Sequence, residues 1–243
     1  MKRLFFTFVV ALSAIACFAG EPQGGIFKHV GLGVSGGTNG ISVELSSPIT
    51  RWVQVRAGLS FMPNFKLNTD ADVEYSAYGY SESTTIDLEG AFGRTQGSLI
   101  VNLYPLPWGS FYVAGGLYFG GNKLLKVKGH SDELEGVQNA GVEIGDYTLP
   151  VDDHGNVKGG LKVNNVRPYI GIGWGRAVPN NRVNFGIELG LQFHGTPKLY
   201  TEHGDITELT KQLGDEGDND VQKIMDKVKV WPVLTFKISG RIF

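Results

Sequence analysis

Eight stretches of this chain place an apolar residue at every second position. A period of two marks a strand whose two faces meet different surroundings. The apolar series are Val30, Leu32 and Val34; Ile41, Val43 and Leu45; Val53 through Phe61; Leu99, Val101 and Leu103; Phe111, Val113, Leu117 and Phe119; Pro168, Ile170, Ile172 and Trp174; Val183 through Phe193; and Leu234, Phe236, Ile238 and Ile242. Between them stand Gly, Ser and charged residues. No apolar run beyond residue 20 approaches the roughly 20 residues of a membrane helix. A chain of this kind that crosses a membrane must therefore do so as a closed barrel, because a bilayer core leaves open strand edges unsatisfied.

Alternation alone does not say which face points inward. The interleaved positions decide it. They carry Glu44, Arg56, Arg167, Glu188, Lys237 and Arg241. Burying so many charges in a soluble apolar core is costly, whereas in a membrane barrel they face one another, or water, across a polar lumen. The expectation is an all-β fold: an eight-stranded antiparallel transmembrane β-barrel. Eight is the smallest strand number of bacterial outer-membrane barrels.

The beginning of the chain agrees with export. Met1-Lys2-Arg3 is positive, Leu4 to Phe18 is apolar, and Ala16, Ala19 and Gly20 close the run before Glu21. This is the layout of a secretory signal peptide. Residues 1–20 are read as that signal, and residues 21–243 as one barrel domain. Cys17 is the only cysteine, so the mature chain has no disulfide framework. Lipidation at Cys17 is the weaker reading, since Ala14 stands where a lipoprotein box usually has Leu. The net charge of −2 gives no basic footprint for nucleic acid.

The connections alternate in length. Short ones carry Pro48, Pro105 and Pro107, and Pro179. Apart from a tight turn at Gly36 to Gly40, those at the other end are long: Met62 to Thr85, Lys123 to Asn165 and Lys198 to Lys229. Short periplasmic turns with long outer loops are the asymmetry of outer-membrane barrels. The fourth segment is irregular. Ile86, Leu88 and Phe92 fall on even positions, but Leu99, Val101 and Leu103 on odd ones. Either a bulge between Gly93 and Gly97 resets the phase, or the strand leaves the membrane there.

The segment Arg167-Pro-Tyr-Ile-Gly-Ile-Gly-Trp-Gly175 resembles the Pro-Tyr-x-Gly-x-Gly strand of small Gram-negative outer-membrane barrels of OmpA/OmpX/OmpW-like architecture. It also resembles a bacterial family in which that strand is followed by a second apolar strand and a late Pro-Val strand, here Phe185 to Phe193 and Pro232-Val233-Leu234. The resemblance implies location in the cell outer membrane and contact with outer-membrane lipid. It also implies passage through the barrel-assembly machinery, for which Phe243 would be the terminal aromatic signal. The positions in phase with Phe243 are Arg241, Ser239 and Lys237, so this phenylalanine sits past the regular strand.

The six interleaved charges form the candidate site, a lumen charge network of Glu44, Arg56, Arg167, Glu188, Lys237 and Arg241. An eight-stranded barrel is just wide enough for side chains to fill, and opposite charges there should pair. The alternative is a narrow ion path. His194, six residues after Glu188, is a possible catalytic base, but no Ser stands at a recognisable spacing. No enzymatic activity, cofactor or metal is expected. The acidic clusters Asp152-Asp153 and Asp215 to Asp220 lack the calcium-loop spacing of an EF-hand. Asp205 and Glu208 resemble a helix cap, followed by apolar residues at helical spacing, so a short helical segment is expected in the last loop. The three long loops hold 11 Lys and Arg against 19 Asp and Glu. They are the natural place for an extracellular ligand. Trp52, Tyr104, Trp108, Phe111, Trp174 and Trp231 fall near strand ends, as interfacial aromatics do.

Overall fold

The structure, a computed structural model, describes residues 29–77, 80–135, 141–144, 147–150, 152, 154–180, 182–201 and 229–242. The signal segment, the helical expectation over residues 205–228 and Phe243 lie outside these residues.

Eight strands close into a barrel. They are β1 (Gly31–Gly37), β2 (Gly40–Pro48), β3 (Val53–Ala77), β4 (Tyr80–Leu103), β5 (Phe111–Phe119), β10 (Val166–Trp174), β11 (Val183–Phe193) and β13 (Val230–Arg241). Each of the eight alternating segments lies on one of them. Neighbouring strands pair antiparallel from β1 round to β5, and then through β10, β11 and β13 back to β1. Closure rests on two ladders of β5, to Gly97–Leu103 of β4 and to the whole of β10. No edge is left in the barrel wall, as hydrocarbon requires.

The apolar series faces outward. In β11 every odd residue from Val183 to Phe193 is exposed, while Glu188, Gly190 and Gln192 are buried. Phe185 is 72 % exposed and Trp174 60 %. So wide an apolar girdle in water would be an aggregation surface. Nine residues at about 3.3 Å each, tilted by roughly 40°, cover about 23 Å, close to the apolar band of an outer-membrane barrel. Trp52, Trp108 and Phe111 also face outward. Tyr104 and Trp231 do not belong to this belt. Tyr104 is fully buried and its hydroxyl bonds Gln54, and the Trp231 ring stacks on His194 inside the lumen.

Among the described residues, the first two long connections at the loop end are largely strands rather than irregular loops. Strands β3 and β4 run on past the barrel and remain paired to Ala77 and Tyr80. Above the wall β4 exchanges β5 for β6 (Lys123–Glu135), which pairs with β9 (His154–Lys162), and β9 pairs with β12 (Lys198–Thr201). A small hairpin of β7 (Gly141–Ile144) and β8 (Tyr147–Pro150) completes the described strands.

This extension explains the phase of the fourth segment. Pairing is unbroken from Arg94 to Leu103, so no bulge lies between Gly93 and Gly97 in β4. The bulge is in β3, where Pro63 and Asn64 oppose Gly93 alone. The apolar face of β4 changes because the strand leaves the bilayer. Leu88 is buried in a cross-strand row with Gly129 and the buried Val157.

Inside the barrel, glycines make room for tyrosines. A Cβ on Gly190 would strike the Tyr169 ring and hydroxyl, and one on Gly173 would strike the Tyr112 hydroxyl. Both hydroxyls are tied to Glu188, so neither ring can swing aside without breaking a bond. Gly115, on the outer face, meets nothing within 4 Å. Gly190→Val should therefore destabilise the detergent-refolded barrel by about 1–3 kcal/mol through overpacking. Gly115→Val should stay near wild type. Urea unfolding followed by tryptophan fluorescence checks both.

Candidate functional site

The lumen holds three layers of polar side chains. The middle layer centres on Glu188. Its Oε2 accepts from Arg56 Nη2 at 2.7 Å, Lys237 Nζ at 2.8 Å and the Tyr112 hydroxyl at 2.6 Å. Its Oε1 accepts from the Tyr169 hydroxyl at 2.7 Å. Glu44 Oε2 takes Arg56 Nη1 at 3.0 Å and lies 3.7 Å from Lys237 Nζ. Six walls contribute: β2, β3, β5, β10, β11 and β13. Two carboxylates meet two cations, so the layer is neutral. Arg56 and Glu188 are each 2 % exposed. The cavity beside this layer, lined in part by Glu44, Arg56, Tyr112 and Lys237, measures about 10 Å³, close to the minimum for one water.

The periplasmic layer is built by the turn between β10 and β11. It folds across the mouth to the opposite wall, where Val178 N donates to Gln54 Oε1 at 3.0 Å and Ala177 O accepts Ser46 Oγ at 2.9 Å. Ala177 N donates to the Tyr104 hydroxyl at 3.2 Å. Arg176 stacks 4.7 Å over the Tyr104 ring and donates to the Pro107 and Gly109 carbonyls. Val178 is buried in the mouth.

The outer layer contains Arg94, Gln96, Arg167, Gln192, His194 and Trp231. Arg167 donates to Asn164 O at 2.9 Å, to Gln96 Oε1 at 3.0 Å and to Gly120 O. Gln192 Nε2 shares the same Gln96 oxygen at 3.3 Å. Arg94 donates to Asn39 Oδ1 at 3.2 Å, and its Nη1 lies 3.4 Å from His194 Nε2. Arginine has no acceptor, so this imidazole nitrogen must be the unprotonated one.

Of the six charges singled out in the sequence, the structure brings together Glu44, Arg56, Glu188 and Lys237. Arg167 is buried but sits in the outer layer, away from both carboxylates. Arg241 does not join the network. It follows the last inward residue, Ser239, at the periplasmic rim and is exposed. Arg94 and the inward tyrosines are missing from the sequence reading. Tyr112 and Tyr118 share the phase of Ala114 and Gly116, and Tyr169 that of Arg167, so phase was the available signal. Arg94 fell next to the irregular part of β4.

His194 has no carboxylate or hydroxyl partner among the described residues, and Glu188 is fully engaged elsewhere. No catalytic pair is assembled there. Asp152 Oδ1 accepts the backbone N–H groups of His154 and Asn156, so this acid shapes a turn. Among the described residues no group of three His, Cys, Asp or Glu could hold a metal. Asp153 and Asp215 to Asp220 lie outside them.

An outward apolar girdle, an inward polar lumen and a closed ladder together fix the class. The chain is an outer-membrane β-barrel. Among solved structures it is similar to Acinetobacter baumannii CarO2, with a TM-score of 0.50 and 20 % identity over 90 % of this chain and 100 % of that one. It also matches Acinetobacter baumannii CarO, with a TM-score of 0.45 and 17 % identity over 86 % and 96 % of the two chains. The first likeness shows the fold. No family model and no curated protein sequence matches the chain.

Removing one partner of the middle layer leaves buried charge uncompensated. Glu188→Ala should cost about 3–5 kcal/mol of unfolding free energy. Arg241→Ala should stay within about 0.5 kcal/mol of wild type. Equilibrium unfolding of both variants in the same detergent separates a core residue from a rim residue.

Proposed function

We propose that this protein is a plugged, non-enzymatic barrel whose role is carried by the sheet it holds above the outer membrane. The observation that carries this reading is the middle layer. A neutral cluster reaching six of the eight walls borders a cavity of only about 10 Å³ on its periplasmic side, and the β10–β11 turn covers the mouth beneath it. An ion entering this layer would have to replace short charge-assisted bonds, each worth about 1.5–3 kcal/mol.

The extended β3–β4 hairpin with β6, β9 and β12 supplies a paired outer sheet, on which an extracellular ligand would be met. Membrane lipid surrounds the girdle in this reading. The barrel-assembly machinery is the partner during biogenesis. Catalysis finds no support in the surroundings of His194.

Planar-bilayer recording of the refolded full chain tests the proposal. A plugged barrel adds no stepwise conductance above the lipid background. Reproducible single-channel steps from a preparation with heat-modifiable gel mobility would replace this reading with a channel.

A further inference from the structure

The outer layer of the lumen differs from the middle one in charge. In the middle layer two carboxylates balance Arg56 and Lys237. In the outer layer Arg94 and Arg167 have no carboxylate partner among the described residues. Arg94 is 5 % exposed and Arg167 is fully buried. Arginine does not shed its proton in proteins. A buried cation without an opposing charge costs several kcal/mol. Two of them in one layer call for an anion.

The unsatisfied atoms point the same way. Arg94 Nε, Arg167 Nε, Gln96 Nε2, Asn39 Nδ2, His194 Nδ1 and Trp231 Nε1 are buried and make no hydrogen bond among the described residues, and neither does Gln192 Oε1. With His194 Nε2 facing Arg94, its Nδ1 carries the proton, so six of the seven are donors and only Gln192 Oε1 is an acceptor. Arg56 also leaves its Nε unpartnered, but there two carboxylates neutralise the guanidinium. The donors belong to one connected group. Gln96 joins Arg167 to Gln192, and His194, just past the end of β11, keeps the inward phase of Gln192. Arg94 lies 5.6 Å over the Trp231 ring, which stacks on His194.

We propose that the outer half of the lumen is a binding site for a small free oxyanion, a phosphate or carboxylate, held between Arg94 and Arg167. The charged, donor-rich lining, with six unpartnered donors against one unpartnered acceptor, suits an anion, and arginine forks suit its oxygens. The site lies on the loop side of the neutral middle layer, so the ligand enters from outside the cell. Trp231 is its built-in reporter.

The test is a fluorescence titration of the refolded full chain in a non-ionic, phosphate-free detergent, with sodium phosphate and sodium acetate as separate probes. Ionic strength is held constant with sodium chloride. The expected result is a saturable change in tryptophan emission with at least one probe. It should be lost in Trp231→Phe, and its midpoint should weaken by about tenfold or more in Arg94→Gln and Arg167→Gln, the loss of one charged hydrogen bond. Heat-modifiable mobility shows which variants have folded. If neither arginine variant folds, the Trp231→Phe comparison decides. No saturable change in the wild type with either probe overturns the proposal. So does a change that persists in Trp231→Phe, or that keeps its midpoint in a folded Arg94→Gln, Arg167→Gln double variant.

Discussion

Glu188 receives donors from β3, β5, β10 and β13, and it reaches all four only because the sheet has closed around it. A carboxylate in a lumen this narrow cannot stay charged without such partners. Its donors come from both sides of the barrel. The tyrosine hydroxyls fit over glycines at 171, 173 and 190, where any side chain would collide. Glu44 completes the arrangement by sharing Arg56 and Lys237, which makes the layer neutral. The abundance of glycine on the inward face is thus a consequence of filling a small barrel with large, hydrogen-bonding side chains.

The two ends of the lumen are finished differently. At the periplasmic end a backbone turn crosses the opening, and its peptide groups are satisfied by Gln54, Ser46 and Tyr104 from the opposite wall. At the outer end side chains from β4, β10, β11 and β13 crowd together with an excess of donors and cations. Neutral in the middle and cationic above, the lumen is a stack of chemically distinct layers rather than a uniform polar tube. The outer sheet grows directly from β3 and β4, so the surface above the membrane is continuous with the wall.

Much of the fold was legible because one physical rule governs every strand. Lipid demands apolar residues at every second position, and all eight segments obey it. Legibility failed where that rule stops acting. Above the bilayer, β4 reverses its apolar face, as Leu88 shows. The long connections read as loops because their residues no longer alternate for lipid. Arg241 carries the inward phase but lies beyond the last ring of partners, which sequence spacing does not reveal. Tyr104 and Trp231 were read as interfacial aromatics from their positions near strand ends. Their phase, shared with buried polar residues, was the better guide. The grouping of Glu44, Arg56, Glu188 and Lys237 depends on register across β2, β3, β11 and β13, and register is invisible until the barrel closes.

The face assignment underlies all of this, and one measurement reaches it directly. Single-tryptophan variants retaining either Trp174 or Trp231 would be refolded into vesicles of brominated lipid, whose tails quench fluorescence on contact. Trp174, exposed on the outer wall, should be strongly quenched. Trp231, stacked on His194 within the lumen, should be spared. Strong quenching of Trp231 with little effect on Trp174 would mean that the two faces are reversed, and the layered lumen would fall with them.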